Sequence, residues 1–256
     1  MIPFQEVQRR ARRQNHEENV WVHPFSGRIS TWFTWAFVNL GLSANQVTFL
    51  FWLCGAGAVA ALAANTALGA FLAFVLFRLH VLFDVCDGEV ARFRRSVSRY
   101  GVYWDQVIHV TTYPALLAAI VWARLQDGAP QAVVLAGFLG MIGKTLDLAV
   151  KNLHYRVLWQ AGETQAAASP TAAPAAGGRR GLLRRFLGEA VRLANYDAFL
   201  FFYAAAWLAP WEWRGIGARD GVLFLYALVF TAIGLLRMVS IPRRGGIPQR
   251  RDFYGD

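Results

Sequence analysis

The sequence predicts an all-α integral membrane protein with six transmembrane helices, preceded by a cytoplasmic amphipathic helix at the membrane interface. Of the 256 residues, 56% are hydrophobic, and the mean hydropathy of +0.32 is too high for an ordinary soluble domain. The apolar segments are each about 20 residues long, the length that spans a bilayer. Basic residues are also concentrated in alternate connections between these segments, as they are in multi-pass membrane proteins.

The six apolar segments follow one another along most of the chain. They lie at roughly residues 45–64, 68–92, 98–124, 131–154, 196–213 and 220–241. The first twenty residues are charged and contain no apolar core, so we expect no cleavable signal peptide.

The net charge of +10 is distributed as expected for a membrane protein. Arginine clusters precede the first span, separate spans two and three, separate spans four and five, and follow the sixth, while the other connections hold few basic residues. This pattern predicts that both termini are cytoplasmic, in a cell membrane of bacterial type. Basic cytoplasmic segments attract anionic lipid headgroups, so we expect membrane lipid rather than nucleic acid as the partner.

Residues 20–41 predict the interfacial helix. Four of the six residues in Trp32–Phe37 are Trp or Phe, the side chains that collect at the headgroup boundary. The alternative is a short extra span, which is disfavoured because Pro24, Gly27 and Arg28 interrupt the segment.

Four ligand-capable residues, Asp84, Asp87, Asp105 and His109, lie within spans two and three. If these spans form a helical hairpin that turns near residues 95–98, Asp87 and Asp105 face each other, with Asp84 and His109 about 5 Å deeper. Ionisable groups at membrane depth are candidates for function. Neighbouring carboxylates repel one another unless a cation neutralises them, so the cluster predicts one or two Mg²⁺ or Mn²⁺ ions and a phosphorylated substrate.

The residues between these acids suit the approach of a substrate. Gly88 and Ala91 leave room, Arg92 offers a planar fork to a phosphate or carboxylate, and Gly101 permits close helix packing. The alternative is a purely structural hairpin in which Asp84 and Asp87 form ion pairs with Arg92 and Arg94. That alternative gives no reason for three acids to cluster near the membrane.

The spacing Asp-x2-Asp-Gly-x2-Ala-Arg-x8-Gly-x3-Asp-x3-His from Asp84 to His109 resembles the signature of the CDP-alcohol phosphotransferase (CDP-alcohol phosphatidyltransferase) family. The family has a fourth Asp at the last position, where this chain has His109. The entry to the first span, residues 42–48, is also similar to that of the family.

The resemblance implies transfer of a substituted phosphate from a CDP-linked donor to an alcohol acceptor, with release of CMP, by default in phospholipid biosynthesis. It implies that Asp84, Asp87 and Asp105 hold the metal, and that Asp105 and His109 are catalytic. It further implies a homodimer. The implied nucleotide-binding residues are Asn45, Thr48, Asp84, Gly88, Ala91, Arg92 and Gly101.

The change at His109 leaves three interpretations open. Imidazole is both a competent general base and a metal ligand, so His109 could deprotonate the acceptor hydroxyl. Alternatively, the base lies elsewhere, or the site binds nucleotide and metal without transfer. His80, four residues before Asp84 on the same helical face, is either a partner of the site or a packed ring.

Lys144 and Asp147 lie within span four at i,i+3, and Lys151 follows. Intramembrane Lys and Asp could pair with one another, or they could face the cavity and bind the acceptor. For Asn45 and Thr48, helix capping is the alternative to nucleotide contact.

These observations divide the chain into a cytoplasmic N-terminal segment (1–41), a transmembrane catalytic domain (42–241) and a basic cytoplasmic tail (242–256). Within the domain, the Ala/Pro/Gly-rich residues 161–181 predict a flexible cytoplasmic linker. A transporter is a further alternative, weakened because no internal repeat is visible.

Overall fold

The computed structural model describes residues 1–11, 26–160, 196–209 and 211–243, and is helical apart from one short hairpin. The helices are α1 (Phe4–Ala11), α2 (Ser26–Asn39), α3 (Ala44–Ala63), α4 (Ala67–Phe93), α5 (Arg99–Gln126), α6 (Gln131–Gln160), α7 (Tyr196–Ala206) and α8 (Ala218–Arg243), and the strands are β1 (Glu212–Trp213) and β2 (Ile216–Gly217). The predicted linker at 161–181 and residues 244–256 of the predicted tail lie outside the described residues.

Five of these helices, α3, α4, α5, α6 and α8, are long and apolar enough to cross a membrane. Their bounds agree within a few residues with five of the six apolar segments. The protein is therefore a multi-pass integral membrane protein. The remaining segment, predicted at 196–213, contains α7, an apolar helix of 11 residues.

The segment after α7 is a β-hairpin, although the prediction extended the span to residue 213. Trp213 pairs with Ile216 across a turn in which Arg214 and Gly215 have φ of 49° and 74°. Positive φ at both central residues is typical of a type I′ turn, whose twist matches that of paired strands. The first strand of the hairpin therefore occupies the last two residues of the predicted span.

Side-chain caps set the start of three membrane helices. Ser43 caps α3 in a capping box with Gln46. Thr66 and Ser98 accept hydrogen bonds from Gly69 and Gly101 at the starts of α4 and α5. The turn between α4 and α5 therefore lies where the sequence placed it.

The helices pack unevenly around the turn that joins α4 to α5. Helix α3 packs along both α4 and α5, whereas α4 and α5 make little backbone contact with each other. A cleft therefore opens between them. Helices α6 and α8 instead pack tightly, because a Cβ on Gly143 would lie 2.5 Å from the Cα of Thr231.

The N-terminal segment folds onto α4 next to this cleft. Val7 and Ala11 of α1 are fully buried in an apolar cluster with Phe37 of α2 and Val90 of α4. The sequence predicted the helix now seen as α2 but not α1. The docking of both helices makes the N-terminal segment part of the cleft wall.

Candidate active site

A cavity of about 390 Å³ opens between α3, α4 and α5. Ten residues were predicted to bind metal, to bind nucleotide or to act in catalysis. All ten line this cavity: Asn45, Thr48, Asp84, Asp87, Gly88, Ala91, Arg92, Gly101, Asp105 and His109. The motif spacing thus brings together residues from three helices at one place.

Asp84, Asp105 and His109 form the centre of the site, with one potential ligand atom from each lying within 4.8 Å of the others. Nε2 of His109 lies 3.1 Å from Oδ1 of Asp105 and 3.7 Å from Oδ2 of Asp84. Asp105 and His109 are one turn apart on α5, and Asp84 reaches them across the cleft from α4. The group therefore joins the two diverging helices.

Asp87 lies outside this close group, although it lines the same cavity. Its Oδ2 accepts a hydrogen bond of 2.7 Å from the hydroxyl of Thr48. The prediction from an ideal helical hairpin placed Asp87 opposite Asp105, with Asp84 and His109 in a deeper layer. Because α4 and α5 diverge, Asp105 instead lies closest to Asp84, and α3 supplies the neighbour of Asp87.

The donor set fits a hard divalent cation. Two carboxylates and one imidazole converge, and Mg²⁺ and Mn²⁺ favour oxygen donors. Oδ1 of Asp105 is buried from solvent, and its neighbour among the described residues is Nε2 of His109 at 3.1 Å. Among the same residues, no lysine or arginine forms an ion pair with Asp84, Asp87 or Asp105, which disfavours the structural hairpin.

Arg92 links the cavity to the N-terminal helix. Its Nε donates a 2.7 Å hydrogen bond to the carbonyl of Ala11, at the C-terminus of α1, where the helix dipole favours a cation. Its Nη1 lies over Gly88, so that a Cβ there would be 3.2 Å away. A side chain at position 88 would therefore push the guanidinium of Arg92 aside by a few tenths of an ångström.

Glu89 is a wall residue that sequence reasoning missed. It is 1% exposed, and its carboxylate accepts hydrogen bonds from Ser30 at 2.9 Å and from Thr34 at 2.6 Å. These bonds tie α2 to the middle of the motif. The available signal was the four-residue spacing of the two hydroxyls, which places both on one face of α2.

Lys144 and Asp147 lie in a second polar group, away from the walls of the cavity. Asp147 is 2% exposed and pairs with Lys144 at 3.2 Å, Lys151 at 3.5 Å and Arg237 of α8. Lys144 also lies 5.2 Å from the ring centre of Tyr113. The predicted pairing is present, and acceptor binding by these residues stays a prediction.

Comparison with known proteins identifies the family of the chain. The family model described as CDP-alcohol phosphatidyltransferase matches residues 41–233. No curated protein matches the chain.

Three similar solved structures are of the phosphatidylinositol phosphate synthase of Mycobacterium tuberculosis. The structure with CDP-DAG bound is 18% identical, with a TM-score of 0.59 over 87% of this chain and 98% of that chain. The complex with manganese and citrate is 16% identical, with a TM-score of 0.59 over 87% and 93%. The apo form is 17% identical, with a TM-score of 0.54 over 85% and 99%.

At these identities the likeness establishes a shared fold, while the family match covers most of the chain and includes the whole motif. The protein is thus a phosphotransferase, and the chain belongs to the CDP-alcohol phosphatidyltransferase family.

Proposed function

We propose that the protein transfers a substituted phosphate from a CDP-linked donor to an alcohol and releases CMP, as a step of phospholipid biosynthesis. The observation that carries this proposal is the close group of Asp84, Asp105 and His109 in a cavity lined by the family's motif residues. The reaction is an in-line displacement at phosphorus. The hydroxyl oxygen forms the new bond to phosphorus, and the bond from phosphorus to the CMP oxygen breaks.

Asp84, Asp87 and Asp105 would hold one or two Mg²⁺ or Mn²⁺ ions. Such an ion supplies charge neutralisation for a diphosphate. The manganese in a structure of the similar synthase supports this assignment. A single ion at Asp84 and Asp105 fits the compact group best, since replacement of a fourth carboxylate by His109 leaves the site with one negative charge fewer.

The donor would enter the cavity with its nucleotide against Asn45, Thr48, Gly88, Ala91 and Gly101. Arg92 would bind phosphate through its guanidinium, which α1 holds over Gly88. The bound CDP-DAG in the similar synthase supports a donor that carries a lipid, and the cavity opens between helices that a lipid chain could follow.

His109 would take the proton of the acceptor hydroxyl on Nε2, the nitrogen that faces Asp84 and Asp105. The acceptor alcohol would reach it from the side of Lys144 and Asp147. Two alternatives remain open for test: the base lies elsewhere, or the site binds a CDP-alcohol without transfer.

The proposed topology has six spans with both termini cytoplasmic. In it, α7 lies in the fifth span, predicted at 196–213, and α2 lies at the cytoplasmic interface beside the cavity mouth. The basic tail would follow on the same side, and two chains would form a homodimer. Reaction of intact cells with impermeant cysteine reagents, directed at cysteines introduced at the exposed positions Gln5 and Glu212, would test this orientation.

The experiment that tests the function measures CMP release by purified protein from a panel of CDP-linked donors and alcohols, with and without Mn²⁺. We expect metal-dependent release that Asp105→Asn abolishes. No release from any donor, together with retained binding of the CDP-alcohol, would favour a binding protein. Substrate flux in liposomes without CMP release would favour a transporter.

His109 has its own test in the same assay. His109→Ala is expected to reduce turnover by about 100-fold, the scale of a lost general base, while CDP binding persists. His109→Asp restores the family's residue and should recover much of the loss. Unchanged turnover in His109→Ala would remove His109 from the mechanism.

A further inference from the structure

Helices α2, α3, α4 and α5 are each followed by a residue with positive φ. These residues are Gly41, Asn65, Arg95 and Gly128, with φ of 79°, 50°, 54° and 67°. Glycine adopts this left-handed conformation freely and asparagine tolerates it, whereas the Cβ of other residues makes it unfavourable. Arg95 is therefore the exception, and a residue kept in an unfavourable backbone conformation points to a use for its side chain.

Hydrogen bonds at the end of α4 fix this conformation of Arg95. The backbone N–H of Arg95 donates to the carbonyl of Arg92 at 3.1 Å, and the N–H of Ser96 donates to the carbonyl of Ala91 at 2.9 Å. This is the Schellman motif, which places a left-handed residue directly after the helix. The turn thus holds an arginine at its tip, in the position that usually selects glycine.

The turn between α4 and α5 is strongly basic. Between Glu89 and Asp105 the chain carries four arginines and no acidic residue. Three of these arginines, Arg94, Arg95 and Arg99, are exposed. Among the described residues no carboxylate forms an ion pair with them. The turn therefore presents positive charge that this part of the protein does not neutralise.

Aromatic side chains continue this surface along the first turns of α5. Tyr100, Tyr103 and Trp104 are 61%, 60% and 40% exposed, and the ring centre of Trp104 lies 6.0 Å from that of Tyr100 and 5.7 Å from that of Tyr103. Both α4 and α5 are long and apolar enough to cross a membrane, so the turn that joins them lies at the membrane surface. Exposed Trp and Tyr collect there at the level of the lipid headgroups.

The same turn forms part of the wall of the cavity. Ser96, Val97 and Ser98, which directly follow Arg95, line the cavity described above. A group bound by Arg95 would therefore lie beside the cavity mouth.

We propose that Arg95 binds the phosphate of an anionic membrane lipid at the mouth of the cavity. The planar guanidinium is a bidentate donor to phosphate, Arg99 adds a second positive charge, and the rings of Tyr100 and Trp104 lie at the level of the headgroups. This lipid contact goes beyond the proposed reaction and does not depend on it, because it requires only that α4 and α5 cross the membrane.

The test uses phosphatidic acid, a lipid that carries a phosphate and no hydroxyl and so cannot be the acceptor alcohol. It is titrated into the purified full-length protein in an uncharged detergent, and native mass spectrometry gives the affinity for the first bound lipid. We expect Arg95→Gln to weaken this affinity about fivefold, the contribution of one basic residue near an anionic surface, without changing the affinity for phosphatidylcholine. The matched control is Arg214→Gln, which removes an exposed arginine of φ 49° from the other end of the bundle and should have no effect.

Arg95→Gly separates the side chain from the turn. Glycine relieves the positive φ, so we expect the melting temperature without lipid to rise by about 2–4 °C, while the affinity for phosphatidic acid falls as in Arg95→Gln. A lower melting temperature of Arg95→Gly, retained affinity in either variant, or an equal loss in Arg214→Gln would overturn the proposal. A loss in Arg92→Gln that Arg95→Gln does not share would also overturn it, because the lipid would then lie in the cavity. These measurements require no CMP release, so failure of the proposed reaction stays distinguishable from failure of the lipid contact.

Discussion

The two ends of the helical bundle differ in whether their charged side chains have oppositely charged partners. At the end opposite the cavity, which we name the hairpin end (Asn65, Arg124, Asp127, Arg219 and Asp220), each charge faces an opposite one. Arg124 binds Asp220 at 2.8 and 2.9 Å and Asp127 at 2.6 Å. Arg219 reaches Asp127 at 3.0 Å and Asn65 at 3.1 Å, and these bonds join the α3–α4 and α5–α6 connections to the start of α8.

The motif end (Asp84, Asp87, Asp105 and His109) leaves its charges uncompensated. The three aspartates share one cavity with Glu89 and Arg92, and in the described part of the chain the only basic side chain that pairs with them is the imidazole of His109. Neutralised charge stabilises the fold, whereas an accumulation of like charge costs stability and persists where a ligand uses it. This difference indicates that the motif end is the part of the protein that binds ligands.

The largest effect that would separate the two ends is expected from Asp105→Asn. Loss of this ligand should lower CMP release on the order of 10³-fold, since several kcal/mol of charge stabilisation depend on the metal site. Thermal stability without metal should stay the same or rise, because repulsion with Asp84 is removed. Activity and melting temperature of the purified protein check both parts, and a loss of stability would contradict the comparison.

Asp220→Asn should have the converse effect at the hairpin end. Asp220 is 1% exposed, and its loss leaves the Arg124 guanidinium buried without its main partner. Breaking a buried pair in this way costs about 3–5 kcal/mol. We expect a clear fall in melting temperature, with turnover per folded molecule retained. A normal melting temperature would show that the hairpin end does not stabilise the fold.

Val7→Asp tests whether α1 supports the motif end through Arg92. Val7 is fully buried, and a carboxylate there should undock α1 and remove the contact of Arg92 with Ala11. We expect KM for the donor to rise about 10-fold, the equivalent of roughly 1.4 kcal/mol, with a smaller change in kcat. Gln5→Asp, at an exposed position of the same helix, is the matched control and should leave KM unchanged.

The smallest effect concerns pH at the hairpin end. The hydrogen bond from Asn65 to Asp127, and then the charges of Arg124 and Arg219, hold the pKa of Asp127 below its ordinary value. Its contribution is therefore present above the ordinary carboxyl range and is lost as pH falls through the lowered pKa. Acidification should reduce the melting temperature of wild type by roughly a few degrees more than that of Asp127→Asn. Parallel curves would contradict this assignment.

Much of the fold was predictable because it depends on local pattern. The lengths of the apolar segments predicted six membrane helices, and five of them are long and apolar enough to cross a membrane. The residues of the turn after Phe93 predicted where α4 ends. The prediction missed the hairpin at Trp213–Ile216 because the apolar segment was extended to residue 213. The pair Arg214-Gly215 between strand-forming residues was a usable signal for a hairpin turn.

The members of the site were predictable from motif spacing, but their arrangement was not. An ideal hairpin placed Asp87 opposite Asp105, and only the divergence of α4 and α5 brings Asp84 to Asp105. The contacts of Arg92 with Ala11 and of Glu89 with Ser30 join residues more than 50 positions apart. Such contacts depend on tertiary packing, which no local pattern encodes.

The central claim is that the carboxylates of the motif end are arranged to hold a divalent cation. The most direct measurement is the melting temperature of the purified protein in detergent, with chelator and with increasing Mn²⁺. A ligand that binds only the folded state raises stability with its concentration. We predict a clear rise for wild type and Asp220→Asn and none for Asp105→Asn. An equal rise in all three, or none in wild type, would contradict the account.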